Sequence, residues 1–304
     1  MKRVLLFVLT NILVIVVVDL IINLFGLKPY LNQNGIDYQA LLIFCAIFGF
    51  AGSFISLQLS RWTAKRGMGV QVIDPSNPGG DFEVSLVARV QRLCQQAGLD
   101  TLPEIGIYPS QEVNAFATGP SKSRSLLAIS SGLLNRMDDR AIDGVLGHEI
   151  SHIVNGDMVT MTLLQGVVNT FVMFVSRVAV FAIDQAMRNR SEEEGRGGGG
   201  LGFFMQWILI STLESILMLL ASPVIYAFSR HREYKADAGS ARMTGRETMI
   251  HALESLRSGP RIQDDRAPAV SAFKIDGRGH GLMQLLYSTH PPLEARIEAL
   301  KRLS

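Results

Sequence analysis

Residues 147–157 read GHEISHIVNGD. His148 and His152 stand four apart, so on a helix their rings leave the same face about one turn apart. That is the spacing at which two imidazoles share a tetrahedral Zn²⁺ at about 2.0–2.1 Å. Glu149 follows the first histidine and reaches a water at the metal without competing for the metal itself. Its expected role is general base, and then proton shuttle to the leaving amine of a hydrolysed peptide bond. The surrounding stretch DDRAIDGVLGHEISHIVNGD is helical by pattern, because Ile142, Val145, Leu146, Ile150 and Ile153 form an apolar stripe.

Two histidines do not complete a catalytic zinc site. The metzincin pattern needs glycine at 155 and histidine at 158, where this chain has Asn155 and Met158. The other common third ligand is a glutamate from a second helix. The stretch SRHREYKADAGS places Glu233 and Asp237 four apart. Taken alone, the pair reads as a solvated helix face with ion pairs to Arg230 or Lys235. If Glu233 binds metal, Asp237 is placed to accept a hydrogen bond from a ligand histidine and so fix its tautomer. His231 would point elsewhere on the same helix. His251 reads as structural or exposed, and His280 as a loop residue. His290 lies in STHPPLEAR, where two prolines fix the backbone.

These half-sites are 81 residues apart if counted from His152 to Glu233, and the elements between must bring them together. The chain has 304 residues, 48% hydrophobic and only 18% charged, against about 25% charged in soluble domains. Its mean hydropathy is +0.24, and the apolar residues fall in runs. Residues 4–25 are long enough to cross about 30 Å of hydrocarbon. Lys2 and Arg3 precede them and no small-residue cleavage site follows, so an uncleaved anchor is expected, with Asn11 and Asp19 inside it. A second span covers 40–59, rich in small residues, and ends at the basic flank Arg61, Lys65 and Arg66. The loop between carries only Lys28, so the positive-inside rule puts the N-terminus and residues from 61 onward in the cytoplasm. Spans three (159–187) and four (203–228) are joined by the charged, glycine-rich RNRSEEEGRGGGG. Such a hairpin returns residues 158 and 229 to one membrane surface and unites the half-sites. Arg177 and Asp184 within span three leave open a helix pair only partly embedded.

Between the spans, residues 67–158 read as soluble α/β. DFEVSLVARVQRLCQQAGL is a helix closed by Gly98, and PEIGIYP, NAFATG and SLLAISSGLL are short strands and turns, the last feeding a helix. Helical periodicity returns over 233–257, residues 258–281 form a loop, and LEARIEALKRL is an amphipathic helix. A net charge of +2 gives no support to a nucleic-acid partner. Cys45 and Cys94 offer no disulfide framework. The expected fold is α+β and mainly α, a polytopic membrane protein with four transmembrane helices. It comprises an N-terminal hairpin (1–60), a first catalytic half (61–158), a second hairpin (159–228) and a second catalytic half (229–304).

GHEISHIVNGD, EVNAFATG, REYKAD and STHPPLEARI, set among four hydrophobic spans, resemble the HtpX family of membrane-bound zinc metalloproteases, related to the CAAX prenyl proteases. The resemblance covers essentially the whole chain. It implies a gluzincin-like cytoplasmic domain split around helices three and four, with one Zn²⁺ on His148, His152 and Glu233 and with Glu149 as acid/base. Asp237 matches the second acid of the family's E-x-x-x-D motif. Asn114 matches an edge strand lining the substrate cleft, where an extended peptide adds by main-chain pairing, and His290 matches a helper at the oxyanion. The implied substrates are misfolded or damaged membrane proteins, cleaved on the cytoplasmic side of the bacterial inner membrane under stress. An ATP-dependent membrane protease partner and self-cleavage are also implied. A non-catalytic zinc scaffold or receptor is the rival reading; it would want a closed site, commonly with thiols, and no cysteine lies near the histidines. A transporter would need more intramembrane polar residues and a repeat.

Overall fold

The structure, a computed structural model, describes residues 37–193, 200–258 and 288–303, together with Val16, Leu20 and Asn23. Apart from those three positions, the expected first span at 4–25 lies outside the described residues, as do most of the linker glycines and His280. In chain order the elements are α1 (Tyr38–Met68), β1 (Gln71–Val72), α2 (Asp81–Gln96), β2 (Glu104–Tyr108), β3 (Ala115–Ser121), β4 (Arg124–Ser130), α3 (Ser131–Arg136), α4 (Asp139–Asn155), α5 (Asp157–Glu193), α6 (Phe203–Thr244), α7 (Arg246–Ser258) and α8 (Leu293–Lys301). They fall into two compact units, Met1–Ile55 with Thr162–Ile225, and Ser56–Met161 with Tyr226–Ser304.

The first unit is helical. Among the described residues, three helices, α1, α5 and α6, are long and apolar enough to cross a membrane. Glycines let two of them approach closely. A side chain at Gly49 would meet Thr170, and one at Gly166 would meet the Phe50 ring. Asn169 donates to the Gly49 carbonyl and to Ser53 Oγ, both at 3.3 Å. Small residues and side-chain hydrogen bonds are how helices associate where no hydrophobic drive exists. Arg177 donates through Nη1 to Glu214 Oε1 at 2.5 Å and to the Met173 carbonyl at 3.0 Å. Its guanidinium also lies 5.6 Å from the Phe44 ring centroid. Asp184 accepts from Arg188 Nε at 2.8 Å and from the Leu201 N–H at 2.6 Å. Arg177 and Asp184, the charges expected inside span three, are therefore both paired.

Pro223 lies inside α6 and cannot donate to the Leu219 carbonyl four residues back. The Ser222 hydroxyl donates to that carbonyl instead, at 2.8 Å, and the helix continues. Periodicity suggested helix across 233–257, but the chain divides there. Gly245 takes φ 92, a conformation that costs glycine little, and its N–H donates to the Ala241 carbonyl at 3.0 Å. That turn ends α6 and starts α7.

The second unit is built on a four-stranded sheet of order β1-β2-β4-β3, parallel between β2 and β4 and antiparallel elsewhere. Alternation along β4 divides its faces. Leu127 and Ile129 face Val87, Val90 and Leu93 of α2 and Ile142, Leu146 and Ile150 of α4. Leu126 and Ala128 face Ala64 and Met68 at the end of α1, with Tyr108 and Phe116. Both faces are covered, and β3 stands at one edge, alongside α4. Helices α7 and α8 add a smaller cluster of Met249, Ile250 and Leu253 against Leu293, Ile297 and Leu300.

Candidate metal centre

Helix α4 is defined at both ends by its own residues. Asp138 caps it, accepting from the Ala141 N–H at 2.8 Å. Gly156 closes it in the left-handed region, φ 73. Small residues then bring α4 close to the last turns of α6. Ser240 Oγ donates to the Gly144 carbonyl at 2.7 Å, and a side chain on Gly147 would meet that same hydroxyl at 2.7 Å. Gly239 faces Ser151 in the same way. This close contact is what carries Glu233 and Asp237 to the two histidines.

Three ligand-type atoms converge there. His148 Nε2 and His152 Nε2 are 3.1 Å apart, and each lies 3.3 Å from an oxygen of Glu233. A tetrahedral ion with 2.0–2.1 Å bonds has ligand–ligand edges of about 3.3–3.4 Å; His148 stands at that distance from Oε2 and His152 from Oε1, so the three residues could share one cation. All three residues are buried, and Glu233 is 0% exposed. Among the described residues, neither Glu233 oxygen has a hydrogen-bond partner, a costly state for a buried carboxylate unless a cation answers it. The donor set fits zinc.

Each ring turns its other nitrogen to a carboxylate. His148 Nδ1 is 2.9 Å from Asp237 Oδ1, and His152 Nδ1 is 2.6 Å from Asp157 Oδ2. With Nδ1–H donating outward, both Nε2 atoms are left as acceptors for metal. Asp237 is in turn gripped by Arg296, which donates from Nε at 2.8 Å and from Nη2 at 2.5 Å. Arg296 is 1% exposed, and its Nη1 lies 3.7 Å from Glu233 Oε2. Neither Asp157 nor Arg296 follows from ligand spacing. Asp157 was visible only as the end of the NGD stretch, where Gly156 turns the chain so that the first residue of α5 looks back at His152. Arg296 gave no signal beyond membership in STHPPLEAR.

Burial opposes charge on every member of this cluster, and the neighbours override it. Asp237 and Glu233 push the His148 ring up to about 9 despite its desolvation. His152 is raised by Glu233 and Asp157. Glu233, surrounded by His290, His152 and His148, is held well below the usual carboxylate range. Asp237 is lowered, chiefly by Arg296. A metal entering here competes with protons on the imidazoles, so its affinity falls as pH falls.

The remaining candidates are also placed. Glu149 is buried on α4 at 5% exposure. His290 is buried with Nδ1 2.9 Å from Glu233 Oε2, but outside hydrogen-bonding geometry, and neither ring nitrogen has a hydrogen-bond partner among the described residues. Its segment is tied down by Arg230 Nη1, which donates to the Ser288 carbonyl at 2.9 Å. Asn114 immediately precedes β3. Its N–H donates to Ser130 Oγ at 3.1 Å and its carbonyl accepts from the Ser130 N–H at 2.9 Å, while its side-chain oxygen is buried and unpaired. His231 is exposed. His251 Nε2 lies 2.7 Å from Asp138 at the cap of α4, away from the ligand cluster.

With this geometry in hand, comparison with known proteins is decisive. The model of peptidase family M48 matches residues 83–304. A protease HtpX homolog of Bacillus licheniformis is 48% identical over 307 residues, covering 99% of both chains. Protease HtpX of Shewanella loihica is 47% identical over 302 residues, again 99% of both. The chain belongs to peptidase family M48, among the HtpX proteases. The crystal structure of S. mikatae Ste24p shares the fold, with a TM-score of 0.58 at 18% identity over 97% of this chain and 67% of that one. Membership makes the chain a metalloprotease and a membrane protein acting on protein substrates, and implies a metal, usually zinc. Among the described residues, His148, His152 and Glu233 form the group able to hold it.

Proposed function

We propose that the chain is an integral-membrane zinc endopeptidase, with one Zn²⁺ on His148, His152 and Glu233 and with Glu149 moving the protons. The observation that supports this is the pair of imidazole nitrogens 3.1 Å apart, each 3.3 Å from one oxygen of the buried Glu233 carboxylate. Bound zinc supplies a Lewis acid that makes water a usable nucleophile at neutral pH and polarises a carbonyl. Glu149 takes a proton from the attacking water and delivers it to the amine nitrogen as the C–N bond breaks. Asp237 and Asp157 hold the two imidazoles in the tautomer and orientation a metal needs, and Arg296 keeps Asp237 ionised and aimed. Asn114 immediately precedes an edge strand, β3, that suits main-chain pairing with an extended peptide. His290, buried beside Glu233, takes the role of steadying the oxyanion in this reading.

The substrates that suit such a site are misfolded or damaged membrane proteins, met on the cytoplasmic side of the bacterial inner membrane during stress. In this reading four helices cross the bilayer with the N-terminus in the cytoplasm. The catalytic domain is assembled from 61–158 and 229–304 around the hairpin 159–228. Cooperation with an ATP-dependent membrane protease, and self-cleavage, belong to the same reading. The test is metal analysis of detergent-purified protein together with casein cleavage by wild type and Glu149→Gln. One zinc per chain in both proteins and cleavage by the wild type alone is the expected result; undiminished cleavage by Glu149→Gln would sink the mechanism. Reporter fusions within 188–200 test the hairpin, and a cytoplasmic readout there would defeat four crossings.

A further inference from the structure

The turn between β3 and β4 carries charge that the metal centre does not use. From Ala115 to Leu126 the chain has two basic residues, Lys122 and Arg124, and no acidic one. The turn is ordered by its own serines. The Arg124 N–H donates to Ser121 Oγ at 3.1 Å, and Ser125 Oγ donates to the Lys122 carbonyl at 3.0 Å. Ser123 and Arg124 are exposed and Lys122 is half-buried. The acid at this end of the sheet, Glu104, is already engaged by Arg61 and by Lys65 at 2.6 Å.

The level of this turn can be read from α1. Arg124 Nη2 lies 3.5 Å from Gln58 Oε1. Gln58, Trp62 and Arg66 follow one another at i, i+4 and i+8 and share a face of α1. Trp62 is 61% exposed, and tryptophan beside a membrane helix's basic flank marks the headgroup boundary. Gln58 is one turn earlier, about 6 Å nearer the bilayer centre. The headgroup layer is roughly 5–7 Å thick on each side, so Gln58 stands near its inner edge, and a turn whose Arg124 side chain reaches Gln58 lies at or just outside that edge, beside the headgroups. In that layer a lysine and an arginine without a carboxylate partner meet phosphate. The placement needs only that α1 crosses at its apolar stretch; it does not depend on which side the C-terminal end of α1 faces.

We propose that the β3–β4 turn is a membrane-surface contact that takes the anionic headgroups of phospholipids through Lys122 and Arg124. Each basic residue at an anionic surface is worth about a fivefold preference. The contact anchors one end of the strand whose other end begins after Asn114.

The test uses the full chain in vesicles, with Ser123→Cys carrying a fluorophore; Cys45 and Cys94 are buried, and the unsubstituted chain is the labelling control. Nitroxide-labelled lipids report depth. Quenching by headgroup-labelled phosphatidylglycerol, stronger than by lipid labelled deep in the acyl chain, is expected. Lys122→Glu with Arg124→Glu should weaken that quenching several-fold while leaving quenching by labelled phosphatidylcholine nearly unchanged. Casein cleavage and metal content within twofold of the parent show that the double variant is folded. Access to a water-soluble quencher with no lipid quenching overturns the proposal, as does quenching only by the deep label. Equal quenching of parent and double variant by the anionic lipid overturns the role of the two charges. Any of these outcomes, with casein cleavage intact, leaves the proposed peptidase standing.

Discussion

The two units treat buried polar groups in opposite ways. In the helical unit, Arg177 is answered by Glu214, and Asp184 by Arg188 and a backbone N–H. Among the described residues, every buried side-chain nitrogen or oxygen without a hydrogen-bond partner lies in the other unit, and Glu233, His290, Arg296 and Asn114 account for most of them. A charge inside an apolar slab is tolerated when it is neutralised. In the second unit charge is crowded and only partly hydrogen-bonded: Arg296 holds Asp237, yet its Nη1 and the Glu233 oxygens lack hydrogen-bond partners among the described residues. The contrast separates the polar residues that tie the helical unit together from those gathered around the candidate metal centre.

Four changes test this contrast, the largest first. Glu149→Gln should lower peptide cleavage by about 10²–10⁴-fold with metal content unchanged, as measured by turnover alongside metal analysis. In the helical unit, Arg177→Leu strands Glu214 and should cost about 2–3 kcal/mol of stability, read by thermal unfolding in detergent. The double change Arg177→Leu with Glu214→Leu should recover part of it; a double variant no more stable than the single would remove the pair from the account. Asp157→Asn takes the charge from the partner of His152 and should weaken metal binding by about 10–100-fold, as a chelator titration would register. The smallest effect is at the cap of α4. The Ala141 N–H and His251 hold the Asp138 carboxyl below its ordinary value of 3.8. A depressed acid stabilises the fold above its unfolded pKa and loses that contribution as pH falls through the folded one. Asp138→Ala should therefore cost up to about 1 kcal/mol at neutral pH, and the gap to wild type should close below about pH 4. A gap that stays constant into acid would show that the carboxylate charge is not what caps the helix.

How far the sequence reached follows from which interactions are local. His148 and His152 are separated by one helical turn, so their shared face needs no tertiary information. Glu233 and Asp237 carry the same spacing on a second helix, and the structure brings all four together. The strands at 104–108, 115–121 and 124–130 could be located from turn residues and alternation, but the order β1-β2-β4-β3 could not, because register depends on non-local pairing. The partner of Arg177 was equally hidden, since sequence does not say which rung of α6 faces it; Glu214 is 37 residues on. Arg296 was the least legible. An arginine in a short amphipathic helix is ordinarily exposed, and only the packing of α8 on α7 buries it against Asp237.

The division of the cluster along the chain has a consequence in time. The proposed ligands His148 and Glu233 are 85 residues apart, and Arg296 is 63 residues further on. At synthesis rates of about 5–20 residues per second, His148 and His152 exist for several seconds before their carboxylate does. For those seconds the ribosome carries a chain that cannot close its metal site. With those ligands, a metalloprotease is kept inactive while its own chain is still being made.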